Sequence, residues 1–209
     1  TLYSPPMKII AIHLFNNFSG SPRILAAALP ALQAAGHEVE LLSSEGPGFL
    51  DGMPGKKRSV WYRWSPSRWV RLLHFTLNQL LLAAKLWRYR REDCVFLVNT
   101  LLPGMAGIMG RLLGKRVVWY VHETHIEPAP LNRLLCGIVE LTASELLYVS
   151  RYLQQARPFA GIPARVIYNA LPPEMAGAEP ARPWTGEGRF EVLMVTSLRE
   201  VKGPRTFVE

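Results

Sequence analysis

The chain has 209 residues and a formal net charge of +8, with 49% hydrophobic and 19% charged residues. That balance describes a globular chain with a sizeable core and excludes a disordered one. No run of about 18 uncharged apolar residues occurs, so no segment is expected to span a bilayer, and no signal-peptide pattern opens the chain.

In chain order, Met7 reads as the natural start and TLYSPP before it as an upstream tail. Residues 8–15, KIIAIHLF, are predicted as a buried strand. Gly20-Ser21-Pro22 then opens a helix that ends at Gly36, with Ser21 as N-cap and Pro22 in the first turn. Pro30 falls inside that helix and is expected to kink it. Residues 37–44, HEVELLSS, are a second strand. GPGFLDGMPG, residues 46–55, holds four glycines and two prolines and reads as a turn-rich loop. Ser65-Pro66 starts the longest helix, carried to about Arg91, with a leucine face over residues 72–86 expected to cover the sheet.

Residues 93–100 form a third strand, and Pro103 opens a third helix. Residues 115–121 are a fourth strand, followed by a helix from Pro130 to about Leu141. Residues 145–150 are a strand, a helix then runs to about Phe159, and residues 164–170 are the next strand. Strands alternating with helices predict an α/β, Rossmann-like parallel sheet with helices on both faces. Residues 7–170 make up this domain. Residues 171–188, rich in Pro, Gly and Ala, read as a linker. Residues 189–209 begin a second domain with a strand at 189–197, and the chain stops as a helix begins. A strand and a turn of helix cannot form a core, so a longer protein is expected.

Charge is unevenly placed. Residues 56–91 carry ten Lys/Arg and no Asp or Glu, so this segment is +10 and the remainder sums to −2. Four tryptophans lie in the same segment. Interfacial Trp with Lys/Arg favours an anionic membrane surface, assigned to residues 56–71. Nucleic acid would also suit basic and aromatic residues, but no nucleic-acid fold signature is present. Cys94 and Cys136 sit in apolar contexts and read as reduced core residues of a cytoplasmic protein.

In an open parallel α/β sheet, ligands gather at the carboxyl ends of the strands. Polar residues follow each predicted strand: Asn16 to Arg23 after the first, Asn99-Thr100 after the third, and His122-Glu123-Thr124-His125 after the fourth. Ser150-Arg151 follow the fifth and Asn169 the sixth. All are expected to face one crevice.

These stretches resemble the N-terminal half of a GT-B glycosyltransferase of glycosyltransferase family 4, the group 1 type. The resemblance covers nearly the whole chain from Met7. It rests on GHEVELL (36–42), YVHE (120–123), ELLYVSRYL (145–153), GIPARVIYNAL (161–171) and VLMVTSLREVKGP (192–204). No single motif is very specific; their order and spacing carry the match. The chain departs from the family where Ser21 follows Gly20, where Thr196-Ser197 stand in place of Gly-Arg, and where Ala170 replaces a glycine after Asn169. The role of that missing arginine at the donor diphosphate would pass to Arg199 or be lost.

Several residues carry a plain reading beside the chemical one. His122 and His125 could ligate zinc, but H-E-T-H after a strand is not H-E-x-x-H on a helix, and no third ligand lies nearby. Both could instead only bond loop backbone. The resemblance implies a third role for His122, hydrogen-bonding the sugar donor or acceptor near the reacting carbon. Glu123 would orient His122 or bind acceptor hydroxyls, and His125 reads as a loop residue. Gly20 and Ser21 sit where a helix N-terminus suits a phosphate oxygen, or form an ordinary cap. Lys202-Gly203 could be a surface turn; in similar enzymes the matching lysine pairs with the donor diphosphate. The glycines of GMAGIMG, residues 104–110, read as close helix-to-sheet packing, and His13 as a core or crevice-edge histidine.

The resemblance therefore implies a retaining, metal-independent enzyme without a cofactor, moving sugar from a nucleotide-sugar donor to an acceptor. A lipid-linked saccharide in cell-envelope polysaccharide synthesis is the acceptor expected from the basic segment. The enzyme would be cytoplasmic, peripheral on the inner face of the membrane. His122 is the expected catalytic residue; Gly20, Ser21, Asn99, Glu123, Asn169, Lys202 and Arg199 are the expected substrate-binding ones. The 209 residues alone are expected to be inactive. The alternative is a non-catalytic Rossmann-like binding module, or an inactive transferase homologue, that docks on membranes or partners. A dehydrogenase lacks its dinucleotide fingerprint after the first strand.

Overall fold

The structure is a computed structural model that describes residues 5–53, 55–170, 192–194 and 203–208. The chain divides into two compact units, Thr1–Asn169 and Ala170–Glu209.

The first unit is built on seven parallel strands: β1 (Lys8–Ile12), β2 (Glu38–Ser43), β3 (Lys56–Ser59), β4 (Cys94–Asn99), β5 (Arg116–Val121), β6 (Glu145–Tyr148) and β7 (Ala164–Val166). Their order across the sheet is β3-β2-β1-β4-β5-β6-β7. The order reverses between β1 and β4, which pair in register from Lys8 opposite Cys94 to Ile12 opposite Val98. Such a reversal opens a crevice at the carboxyl ends of the two strands, because their connections leave on opposite sides. The helices are α1 (Gly20–Ala34), α2 (Arg68–Leu86), α3 (Gly104–Leu112), α4 (Ala129–Thr142) and α5 (Arg151–Ala156). A 3₁₀ turn, Trp87–Arg91, extends α2. In the second unit, α6 (Pro204–Val208) is the described helix.

Alternate residues of each strand enter two cores. Ile9, Ala11, Val39, Leu41 and Leu97 pack with Leu25 and Leu29 of α1. Ile10, Ile12, Phe96, Val98, Val117 and Trp119 pack with Leu82, Leu86, Leu135 and Val139 of α2 and α4. Both faces of the sheet are therefore apolar, and central strands read as continuous hydrophobic runs.

α1 ends in a Schellman turn. Gly36 has φ +89°, its N–H reaches the Gln33 carbonyl at 2.9 Å, and the His37 N–H reaches that of Leu32 at 3.1 Å. The left-handed residue such a turn needs is glycine here. At the other end the N-cap is Ser19, not Ser21, and its side chain makes no cap bond. Ser19 Oγ instead donates to Asn17 Oδ1 at 2.5 Å. Pro30 lies inside α1, and the helix continues through it.

The glycines of residues 104–110 pack as their spacing implied. A Cβ on Gly107 would lie 2.6 Å from both Thr142 Oγ1 and Trp119 Cζ2, and one on Gly110 would overlap Val117. α3 thus rides directly on β4 and β5.

Two local readings of the basic segment are corrected. Residues 56–58 form edge strand β3 and are partly neutralised: Glu40 lies beneath them, while Lys56 and Lys57 stay exposed. Glu40 is 1% exposed. Its carboxylate accepts from Arg58 Nε and from the Tyr89 hydroxyl at 2.7 Å, with Lys8 and Lys56 each at 3.8 Å. Lys57 pairs with Asp51 at 3.0 Å. The two acids that pair with Lys56, Lys57 and Arg58 come from elsewhere in sequence, so local composition did not reveal them.

The second correction concerns α2. Its leucines do not all turn to the sheet: Leu72, Leu73, Leu77 and Leu80 are exposed. The buried positions are Asn78, Gln79, Leu82 and Leu86. Asn78 donates to the Trp61 carbonyl at 2.8 Å. Gln79 accepts from the Met105 N–H at 2.9 Å and donates to the Leu102 carbonyl at 3.3 Å. Two amides that clasp flanking loops outweigh leucine burial on that face.

Of the strand expected at 189–197, the described residues 192–194 form no ladder. The rest of it, the linker at 171–188, and Thr196, Ser197, Arg199 and Lys202 lie outside the described residues.

Candidate functional site

The polar residues that converge do so at the reversal point between β1 and β4. Asn99, the last residue of β4, is fully buried. Its Nδ2 reaches His13 Nδ1 at 3.0 Å and the Ser21 carbonyl at 3.3 Å, and its Oδ1 lies 2.8 Å from His122 Nε2. One amide thus ties together the end of β1, the first turn of α1 and the residue just past β5. The His122 ring also packs on Tyr120, with centroids 4.5 Å apart.

Burial lowers the pKa of His13 to about 4, with backbone groups of Asn99 and Phe15 opposing it. Burial, and to a lesser degree the nearby His13, lowers that of His122 to about 4 as well. Both rings are therefore neutral near pH 7. A neutral imidazole can accept as well as donate, which suits contact with sugar hydroxyls.

Gly20 opens α1 beside this cluster. It is exposed, and a Cβ there would meet nothing within 4 Å. With no side chain capping the helix, its first N–H groups remain open to an anionic group. Ser21 contributes its carbonyl to Asn99. The loop after β2 closes one side. Asn16 donates to the Gly46 carbonyl at 2.9 Å and to Asp51 at 3.0 Å, and accepts from the Leu50 N–H at 3.0 Å. Gly48 lies so close to Asn16 that any Cβ would overlap its side-chain amide.

Glu123 follows His122. Burial raises its pKa to about 7, and the backbone amides of Leu101, His122 and Glu123 and the cation of Arg157 only partly oppose this. Its Oε2 is buried without a hydrogen-bond partner, as is Thr100 Oγ1. Thr100 itself has φ +73°. A β-branched residue in that region is strained, and strain of this kind clusters at functional sites. The Thr100 N–H is held by the Tyr120 carbonyl at 2.9 Å, so the strand-end pairing maintains the unusual backbone.

Arg157 locks the loop after β5. It donates to the Thr124 carbonyl at 3.1 and 2.5 Å, to Asn132 Oδ1 at 2.8 Å and to Cys136 Sγ at 2.7 Å. Nothing in its local sequence marks Arg157 as a site residue, whereas Thr100 is legible as a strand-end polar residue. His13 was legible only as a crevice-edge histidine. His125 is exposed, and among the described residues no three His, Cys, Asp or Glu side chains are grouped to hold a metal. Asn169 is exposed beyond the end of β7, three strands from β4, and does not join the cluster. Ser150 is committed as the α5 N-cap, its Oγ accepting from the Leu153 N–H at 3.1 Å.

A polar cleft of about 430 Å³ opens at the amino end of β5, away from these residues. Two of its cations are engaged, Arg116 with Glu145 at 2.5 Å and Lys115 with the Glu92 carbonyl.

Comparison with known proteins is consistent with this geometry. The model of the Glycosyltransferase Family 4 matches residues 18–175. The fold is similar to Anabaena HepE in complex with UDP and glucose, at a TM-score of 0.60 and 18% identity, over 79% of this chain and 45% of that one. It is also similar to the kitacinnamycin glycosyltransferase (TM-score 0.58, 14% identity, 86% of this chain and 56% of that one). A sucrose-phosphate synthase structure from Thermosynechococcus elongatus aligns at a TM-score of 0.54 and 14% identity, over 77% of this chain and 88% of that one. The chain spans about half the length of the first two. No curated protein sequence matches significantly.

Proposed function

The chain belongs to Glycosyltransferase Family 4, and from that premise we propose that it forms the acceptor-side half of a retaining, metal-independent glycosyltransferase. The donor is a nucleotide sugar. The acceptor is a lipid-linked saccharide of cell-envelope polysaccharide synthesis, met at the cytoplasmic face of the membrane. The observation that carries the reading is His122, neutral and held by Asn99, at the crevice where β1 and β4 diverge.

In this reading His122 meets the transferring sugar or the acceptor hydroxyl. The open N-terminus of α1 at Gly20 faces the departing diphosphate, where oriented N–H groups stabilise developing charge. Glu123 receives acceptor hydroxyls through the oxygen that lacks a protein partner. Arg199 and Lys202, which the family resemblance assigns to the diphosphate, lie outside the described residues. UDP and glucose, bound by HepE, are the first donor components to test.

The exposed side of α2 supports a membrane-surface acceptor. Trp69, Leu73, Leu80 and Trp87 are 68%, 65%, 59% and 55% exposed, and their spacing sets them in one stripe along the helix. Arg68 stacks on Trp69 at 5.0 Å and Arg90 on Trp87 at 5.8 Å. Arg63, Arg71, Arg88 and Arg91 of the same segment are also exposed. An apolar helix face edged by cations fits the headgroup boundary of an anionic bilayer. The contact is thereby assigned mainly to α2, not to residues 56–58. Among the described residues no helix is long and apolar enough to cross a membrane.

The test is transfer by the full-length protein from UDP-glucose and other nucleotide sugars to lipid-linked saccharide acceptors, with the 209-residue chain assayed beside it. Transfer by the former alone supports the reading. Binding of nucleotide sugar without turnover in either would favour a non-catalytic homologue.

A further inference from the structure

Asn99 makes three contacts, and together they determine where the protons of the crevice lie. The Ser21 carbonyl oxygen can only accept, so the group 3.3 Å from it must be the amide nitrogen of Asn99. The second hydrogen of that nitrogen points at His13 Nδ1, 3.0 Å away, which must then carry a lone pair. Asn99 Oδ1 is left facing His122 Nε2 at 2.8 Å. An amide oxygen cannot donate, so His122 Nε2 must carry the hydrogen.

We infer that Asn99 is a positioning residue that holds His122 as its neutral Nε2–H tautomer, so that His122 Nδ1 presents a lone pair to a hydroxyl of the substrate. Every hydrogen-bonding capacity of the Asn99 side chain that the tautomer needs is used, two hydrogens by two acceptors and the oxygen by one donor. Reversing the amide would set oxygen against oxygen at Ser21, so the Ser21 carbonyl fixes its orientation. His122 therefore acts on its ligand as an acceptor. It selects a group with a hydrogen to give, and a hydroxyl is the sugar group that has one. The tautomer assignment stands on the geometry of the three contacts; only the identity of the group at Nδ1 rests on the transferase reading.

The test is nitrogen-15 NMR of the chain with labelled histidine. At pH 7 the His122 signals should show a protonated, pyrrole-type Nε2 and an unprotonated, pyridine-type Nδ1, and His13 likewise. Asn99→Asp replaces the amide nitrogen by a second acceptor that is also charged. It should move a proton to His13 Nδ1 and raise the titration midpoints of both histidines by about 1–3 pH units. Asn99→Leu should leave His122 a mixture of tautomers. In the transferring enzyme, Asn99→Asp should move the acidic limb of the kcat/KM profile upward, a change that loosened packing alone would not produce. Finding His122 as the Nδ1–H tautomer, or as a cation at pH 7, in the unmodified chain overturns the inference, whether or not the variants fold. Absence of transfer with the tautomers as assigned would count against the transferase reading and leave this one intact.

Discussion

The Tyr89 hydroxyl donates to the Glu40 carboxylate at 2.7 Å, joining residues 49 apart in sequence beneath an edge strand of three cations. Burial pushes the Glu40 pKa up, but Tyr89 and Arg58 outweigh it and the net direction is down. Removing one partner of a buried charge leaves the other uncompensated, at about 3–5 kcal/mol. Arg58 keeps some solvent contact, so Arg58→Ser should lie at the low end, near ~3 kcal/mol. Thermal melts of Arg58→Ser beside Arg63→Ser would check this. Equal melting temperatures would remove β3's role in neutralising Glu40.

Stability should respond to pH in two opposed ways. His13 and His122 are lowered to about 4, so the unfolded chain binds protons first as pH falls through 6.5, and stability drops between about 6.5 and 4. Glu123 is raised to about 7, so its folded carboxyl keeps a proton that the unfolded chain loses above about 4.5. It therefore costs stability as pH rises from about 4.5 to 7. Each group contributes on the order of 3 kcal/mol across its window. Glu123→Gln should steepen the fall in urea midpoint between pH 7 and 5. An unchanged slope would mean that Glu123 titrates as an ordinary surface carboxyl.

Two glycine substitutions should act with opposite sign. Gly107→Ala would drive a methyl between Trp119 and Thr142, whose side chains are hydrogen-bonded at 3.3 Å. Overpacking of this kind costs about 1–3 kcal/mol. Gly137→Ala, within α4 and with nothing near its Cβ position, should stabilise by about 0.5–1 kcal/mol. Chemical denaturation of the two variants decides; a stable Gly107→Ala would show that α3 can lift off the sheet freely.

His122→Ala should lower turnover of the full-length protein about 10²-fold or more, the usual effect of losing a hydrogen bond that strengthens in the transition state. The stability loss should stay modest, about 1–3 kcal/mol for leaving the buried Asn99 Oδ1 without its donor, because Asn99 keeps its other two partners. Kinetics and melting curves measured on one preparation separate the two effects. Normal turnover would confine His122 to loop structure.

Vesicles should report on α2. Replacing Trp69, Leu73 and Leu80 by Ser removes exposed apolar surface, and should weaken sedimentation with anionic vesicles without lowering the melting temperature. Arg68→Ser and Arg90→Ser, which remove the cations stacked on Trp69 and Trp87, should weaken it mainly at low salt, where each cation contributes about 1 kcal/mol. Indifference of the unmodified protein to anionic vesicles would leave the stripe without a bilayer partner.

Much of this architecture is legible without coordinates. The alternation of short apolar runs with helical periods specifies a parallel sheet, because only buried strands are apolar on both faces. The glycine spacing of 104–110 announces a helix pressed onto that sheet. Gly36 announces the end of α1. The strand ends after β1, β4 and β5 carry Asn16, Asn99 and His122, and their position follows from strand polarity alone. Periodicity failed at α2. Its leucines read as inward-facing because burial is the usual fate of an apolar face, whereas Asn78 and Gln79 take the inner positions to satisfy loop backbone.

What sequence order determined is the set of elements, their direction, and the end of the sheet at which ligands gather. Those follow from local periodicity and from the rule that parallel strands place their carboxyl ends together. What tertiary structure decided is which of those strand-end residues meet. Strand order brings β4 beside β1 and so sets Asn99 between His13, 86 residues away, and His122, while Asn169 is left at the far edge. It also set Glu40 under Lys56 and Arg58, turning a locally uncompensated run of charge into a paired one. Hydrogen bonds and ion pairs act over a few ångströms in space, and sequence separation carries no record of that distance.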